Sequence, residues 1–127
     1  MPRLFRQSPL NAIWEGSGNV IALDLLRGLA REPEGVEALR AFLDAARGRD
    51  RLYDAWLDGL AFTADEGRAR WLAERLALAV QAAVLLAWDN PLAGAFCRLR
   101  LAPRGSAYGA FDAAVDVRAI VSRAMPG

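Results

Sequence analysis

Glu15 heads the run of residues best placed to do chemistry. It lies in Pro9-Leu-Asn-Ala-Ile-Trp-Glu15-Gly-Ser-Gly-Asn19-Val20, a short apolar turn, a carboxylate and a small-residue loop that feeds an amphipathic stretch. A carboxylate serves as a general base when desolvation raises its pKa toward neutrality. A loop of Gly16, Ser17 and Gly18 entering a helix presents free backbone N–H groups and the positive end of the helix dipole, which suits a phosphate. The same spacing has a plainer use, with Ser17 or Asn19 capping the helix and the two glycines making the turn. Capping is the commoner arrangement, and spacing alone leaves both open.

Few other reactive groups are available. The chain of 127 residues holds 16 Arg, no Lys, no His and one Cys. Imidazole bases, Ser-His and Cys-His pairs and zinc sites with His ligands are therefore excluded, and no metal site is expected. One Cys rules out disulfides within the chain. Cys97 lies beside Phe96 and Leu99 in an apolar stretch and reads as a small buried hydrophobe rather than a reactive thiol. Arg47, Arg49 and Arg51 interleave with Asp44, Asp50 and Asp54, which reads as a solvated, self-neutralised turn. Trp56, Trp71 and Trp88 occupy apolar helix positions and read as core or subunit interface.

The segment from Ile13 to Ile21 resembles the signature of acyl-CoA dehydrogenases near their C-terminus, an aromatic-Glu-Gly-Thr run that leads into a helix. Within that family it is similar to the AidB, or alkylation-response, branch. There the pattern runs Pro-(Leu/Val)-Asn-(Ala/Ser)-Ile-Trp-Glu-Gly-Ser-Gly-Asn into Leu-Asp-(Leu/Val)-Leu-Arg, as residues 9 to 19 and Leu23 to Arg27 do here. Arg100-Leu-Ala-Pro-Arg-Gly105, Ala107-Tyr-Gly109 and Asp116-Val117 resemble the same branch. Trp14 and Ser17 stand where true dehydrogenases more often carry Tyr and Thr, which again points to that branch.

The resemblance implies a set of roles. Glu15 takes the position of the base that removes the α-proton of an acyl-CoA thioester while a hydride leaves for the flavin. Gly16 takes the position that contacts the acyl-CoA, and Ser17, Gly18 and Asn19 those that help to bind FAD. The family's N-terminal helical domain and middle β-domain are not in this sequence, so a detached C-terminal segment is expected, inactive alone and weak or lacking in FAD affinity. The same resemblance implies a second class of function, a module of an alkylation-response protein that binds DNA or assembles into a homo-oligomer.

These residues need a scaffold, and almost everything past residue 18 has helical spacing. Ala and Leu make up 45 of 127 residues, a helix-forming composition. The fold class expected is all-α, a bundle of about six helices in one domain over 1–127, with 1–17 as a motif-bearing, irregular N-terminal segment. Helices are predicted at 18–31, with Ala22, Leu25, Leu26 and Leu29 inward, and at 34–47, ended by Gly48. A third follows an Asp50 cap, with Asp54 and Asp58 toward water. Thr63 and Glu66 have capping-box spacing for a long helix from 64 to about 89, apolar and buried over Leu76 to Trp88. Asn90-Pro91 opens a fifth helix over 91–102, residues 103–115 read as a loop, and Asp116 caps the last. The apolar half of the long helix spans roughly 20 Å, too short for a bilayer. The N-terminus lacks the pattern of a secretory signal, so no membrane partner and a cytoplasmic location are expected.

Net charge is +1, but it is unevenly spread. Residues 32–66 hold nine carboxylates and four Arg, a balance of −5, while 91–127 hold five Arg and two Asp, +3. Arg100 and Arg104 can share a helix face and are the candidate contacts to double-stranded DNA. Together with one further Arg they would make about three phosphate contacts, and log affinity is then expected to fall against log salt with a slope of roughly −2.7, at affinities of roughly 0.1 mM. Titration of duplex DNA at several salt concentrations checks this, and nanomolar, sequence-selective binding would contradict it.

Overall fold

The computed structural model describes residues 2–12, 18–102 and 116–125. Among these residues every regular element is helical: α1 (Pro2–Gln7), a 3-10 turn (Ser8–Ala12), α2 (Gly18–Arg31), α3 (Pro33–Asp44), α4 (Arg51–Asp58), a 3-10 turn (Glu66–Arg68), α5 (Ala69–Ala87), α6 (Ala93–Arg100) and α7 (Val117–Ala124). The fold class is all-α, as composition and spacing implied. The chain sorts into two compact units, one of residues 1–38 and 61–76, the other of 39–60 and 77–127.

In the first unit α2 has the predicted bounds. Ala22 is buried, Leu25, Leu26 and Leu29 on its side are half-buried, and Asp24 pairs with Arg27 on the exposed side. The helix α1 is an addition to the sequence reading, which had 1–17 as irregular. Pro2 suits a first helical position, where its missing N–H costs nothing, and a single turn and a half is too short to show a period. The Ser8 hydroxyl donates to the Phe5 carbonyl at 2.9 Å just past the helix end.

The long helix starts later than predicted. Thr63 lies outside it, and the cap is Asp65, whose carboxylate accepts the Arg68 N–H at 3.1 Å and opens a 3-10 turn ahead of α5. Asp caps at least as well as Thr and stands two residues closer to the apolar run, so it takes the role. A Cβ on Gly67 would come within 3.1 Å of the Asp65 carboxylate, so the residue between cap and helix is usefully a glycine. The apolar half of α5 is buried as expected, at Leu76, Leu78, Ala79, Ala82, Ala83 and Leu86. The helix stops at Ala87, however, and Trp88 beyond it is 82% exposed rather than part of a core.

The second unit is tied by local polar contacts. Asp50 caps α4 as predicted, accepting the N–H groups of Leu52 at 2.8 Å and Tyr53 at 3.2 Å. Helix α3 ends at Asp44 rather than 47, because residues 45–48 tighten into i,i+3 turns that finish at Gly48 with a φ of +79°. The Gly48 N–H then donates to Asp54, which is therefore not simply solvated. Tyr53 is fully buried and its hydroxyl donates to the Leu43 carbonyl at 2.8 Å, linking the end of α3 to α4. Helix α4 packs on α6, which carries the fully buried Cys97. Helix α6 begins at Ala93, two residues later than predicted, since Asn90 first closes a turn by accepting the Leu92 N–H at 2.9 Å. Asp116 caps α7 through the Ala119 N–H. The predicted loop 103–115 lies outside the described residues.

Burial raises the Tyr53 phenol from 10.0 to about 12 and the Cys97 thiol from 9.0 to about 12. Both groups are neutral in the fold, so their contribution to stability is complete below pH 9.0 and lost as pH rises toward about 12. Urea midpoints are expected to stay level up to that lower bound and then to fall. At neutral pH Tyr53→Phe, which removes a buried hydrogen bond and leaves the Leu43 carbonyl with the Ala46 N–H alone, and Asp50→Ala, which removes a cap, are each expected to cost about 1 kcal/mol. Unchanged midpoints in either variant would contradict these assignments.

Candidate functional site

Where α2 begins decides what the Glu15 motif can offer. Its first residue is Gly18 and its second is Asn19. Glu15, Gly16 and Ser17, the candidate base, acyl-CoA contact and first cofactor contact, lie outside the described residues. Among the described residues a Cβ built on Gly18 would meet nothing within 4 Å. Being already inside the helix, Asn19 has its side chain committed elsewhere than to a cap: its Oδ1 accepts a hydrogen bond from the Arg70 guanidinium at 3.4 Å. One of the two capping options open at the level of sequence is thereby removed.

Arg70 reaches Asn19 from the first turn of α5, 51 residues along the chain, and no periodicity could have paired them. Between these elements is a cleft of about 360 Å³, lined by Asn19 and Leu23 of α2, Glu66 and Gly67 of the 3-10 turn, and Ala69 and Arg70 of α5. Asn19 and Leu23 are four residues apart and so share a helix face. The rim carries one cation, one carboxylate and one amide, all exposed to water. Such a rim can meet a polar, phosphate-bearing group; nothing in it supplies a desolvated base.

Beside Arg70 the surface is more basic than the sequence reading allowed. The Trp71 ring lies between two guanidinium groups, Arg68 at 4.3 Å and Arg75 at 5.2 Å from its centroid. Trp71 is 39% exposed, so of the two readings, core or subunit interface, it is not in the core, and it forms a cation–π platform at the surface. Partial burial lowers the pKa of Arg75. The signal for this cluster was present as Arg68, Trp71 and Arg75, a helical i, i+3, i+7 series around an aromatic.

The remaining candidates are structural or unpaired with their partners. Arg47 donates to Asp44 at 2.7 Å and to Asp58 at 2.9 Å, which holds its pKa above the ordinary value. Arg49 donates to Asp89 at 2.8 Å and to the Leu86 carbonyl at 2.9 Å. Arg47 and Arg49 are thus neutralised, but of the interleaved Asp44, Asp50 and Asp54 only Asp44 takes part; Asp58 and the distant Asp89 supply the rest, while Asp50 and Asp54 accept backbone N–H groups. Cys97 is fully buried, with burial and then the nearby Asp50 keeping the thiol protonated. Arg100 is exposed in the last turn of α6, and its proposed companion Arg104 lies outside the described residues. Among the described residues no group of three or more His, Cys, Asp or Glu could hold a metal ion, and no helix is long and apolar enough to cross a membrane.

Comparison with known proteins bears on the whole chain. It is 34% identical over 110 residues to the Escherichia coli (strain K12) protein named "Putative acyl-CoA dehydrogenase AidB", a match that takes in 83% of this chain and 20% of that relative. The chain therefore spans about a fifth of the length of the curated relative it matches. No family model and no solved structure matches.

Proposed function

We propose that this AidB-like chain is the base-bearing, flavin-contacting segment of an acyl-CoA dehydrogenase-like flavoprotein of the alkylation-response type. The observation that carries the reading is the 34% identity over 110 residues, which extends the likeness of the Glu15 motif across most of the chain. In this reading Glu15 accepts the α-proton of an acyl-CoA at a carboxylate oxygen. Gly16 leaves room for the thioester, and Ser17, Gly18 and Asn19 contact FAD, which supplies the hydride acceptor when bound. The space at Gly18, filled by none of the described residues, and the polar cleft beside Asn19 are compatible with a phosphate-bearing cofactor at the start of α2. Residues 15–19 make only part of such a site, so the chain alone binds FAD weakly and oxidises no acyl-CoA.

A second reading rests on exposed surface. Leu4, Phe5, Leu10, Val20 and Ile21 of the first unit are exposed apolar side chains, Phe5 being 80% exposed. Apolar area of that kind suits contact with other protein, here assembly into a homo-oligomer. Double-stranded DNA contact through Arg100 and Arg104 belongs with it as a property of the assembled protein, in which weak basic patches are pooled.

Titration of FAD into the isotopically labelled chain, followed by amide NMR, tests the first reading. The amides of residues 16–19 are expected to shift first and to saturate only at high ligand concentration, with no reduction of a dye acceptor when acyl-CoAs are added. Shifts confined to other residues would overturn the site, and dye reduction abolished by Glu15→Gln would overturn the claim that the segment is inactive alone.

A further inference from the structure

The second unit carries a feature that involves none of residues 15–19. A groove of about 400 Å³ runs along α5, α6 and α7 and is lined by Leu85, Leu92, Ala95, Phe96, Leu99 and Ile120. Each of these apolar side chains is only half-buried, so the groove offers an apolar wall that the described residues do not fill. Its volume is at the lower end of the range for small-molecule pockets, roughly 300–1,000 Å³, and is too small for a protein helix.

Two polar residues complete the lining, Asn90 and Arg123, and both present donors. The Asn90 Oδ1 is already engaged by the Leu92 N–H, which leaves its amide N–H groups to offer. Arg123, one turn beyond Ile120 on α7, is exposed and makes no ion pair among the described residues. A guanidinium has donors and no acceptor. An occupant that matches this lining has an apolar body, no need of a protein acceptor, and a single anionic end. We propose that the groove binds a small monoanionic amphiphile, a medium-chain carboxylate, with its chain along Phe96, Leu99 and Ile120 and its head on Arg123 and Asn90.

Calorimetric titration of the whole chain with decanoate, below its micelle concentration and at neutral pH, tests the proposal. One saturable site is expected, with decanol and decylammonium binding more weakly. Losing a charge-assisted hydrogen bond at an exposed position, Arg123→Gln is expected to weaken decanoate about tenfold without affecting the fold. Ala95→Leu, which narrows the groove, is expected to reduce binding of decanoate with the far-ultraviolet circular dichroism unchanged. Absence of saturable binding, equal binding of decylammonium, or indifference to both substitutions would overturn it. So would a dimer, seen by sedimentation, that Ile120→Ser dissolves and decanoate does not.

Discussion

A helix cannot satisfy the N–H groups of its own first turn, and everything proposed for the Glu15 motif depends on where α2 leaves those groups. Gly18 is the first residue of the helix and Asn19 the second. Asn19, one of the two side chains that the sequence offered to cover them, is held by Arg70 at 3.4 Å. Among the described residues nothing lies within 4 Å of a Cβ built on Gly18, and a polar cleft lies beside Asn19. In the proposed reading, the base at position 15 is separated from the phosphate-contacting residues by two small residues, Gly16 and Ser17.

How much was legible from sequence varied with the range of the interaction responsible. Asp50, Gly48 and Asp116 act within a few residues of themselves, and each does what its spacing implied. The period of α2 and the burial of the apolar half of α5 were equally plain, since both follow from one-dimensional patterning. Thr63 was misjudged because two good caps, Thr63 and Asp65, stood two residues apart and spacing alone did not choose between them. Trp88, read as the end of the buried stretch, and Trp71 lie outside the core for another reason. An aromatic at an apolar helix position says that a partner is wanted, not whether that partner is a core, and at Trp71 it is a pair of guanidinium groups.

At the candidate site, the motif lies mostly outside the described residues, and its described surroundings were not legible in the sequence. Arg70 and Glu66 reach the cleft only through tertiary structure, and a first-turn Arg on an amphipathic helix is otherwise indistinguishable from any solvated one. The acidic balance of residues 32–66 has a local explanation as well. Asp44, Asp54 and Asp58 are occupied by Arg47 and the Gly48 N–H, so much of that charge holds the turn between α3 and α4 together. It is less a surface awaiting a basic partner than a set of short internal contacts.

The central claim, that residues 15–19 act with a flavin, is most directly tested by transplantation. The chain would replace the matching 110-residue segment of the Escherichia coli relative, and the purified chimera would be mixed anaerobically with acyl-CoAs while its flavin absorbance is followed. The account predicts a yellow protein whose flavin is bleached by an acyl-CoA, and a Glu15→Gln chimera that stays equally yellow but is no longer bleached. A folded chimera that retains no flavin, or one bleached as fast with Gln at position 15, would contradict it.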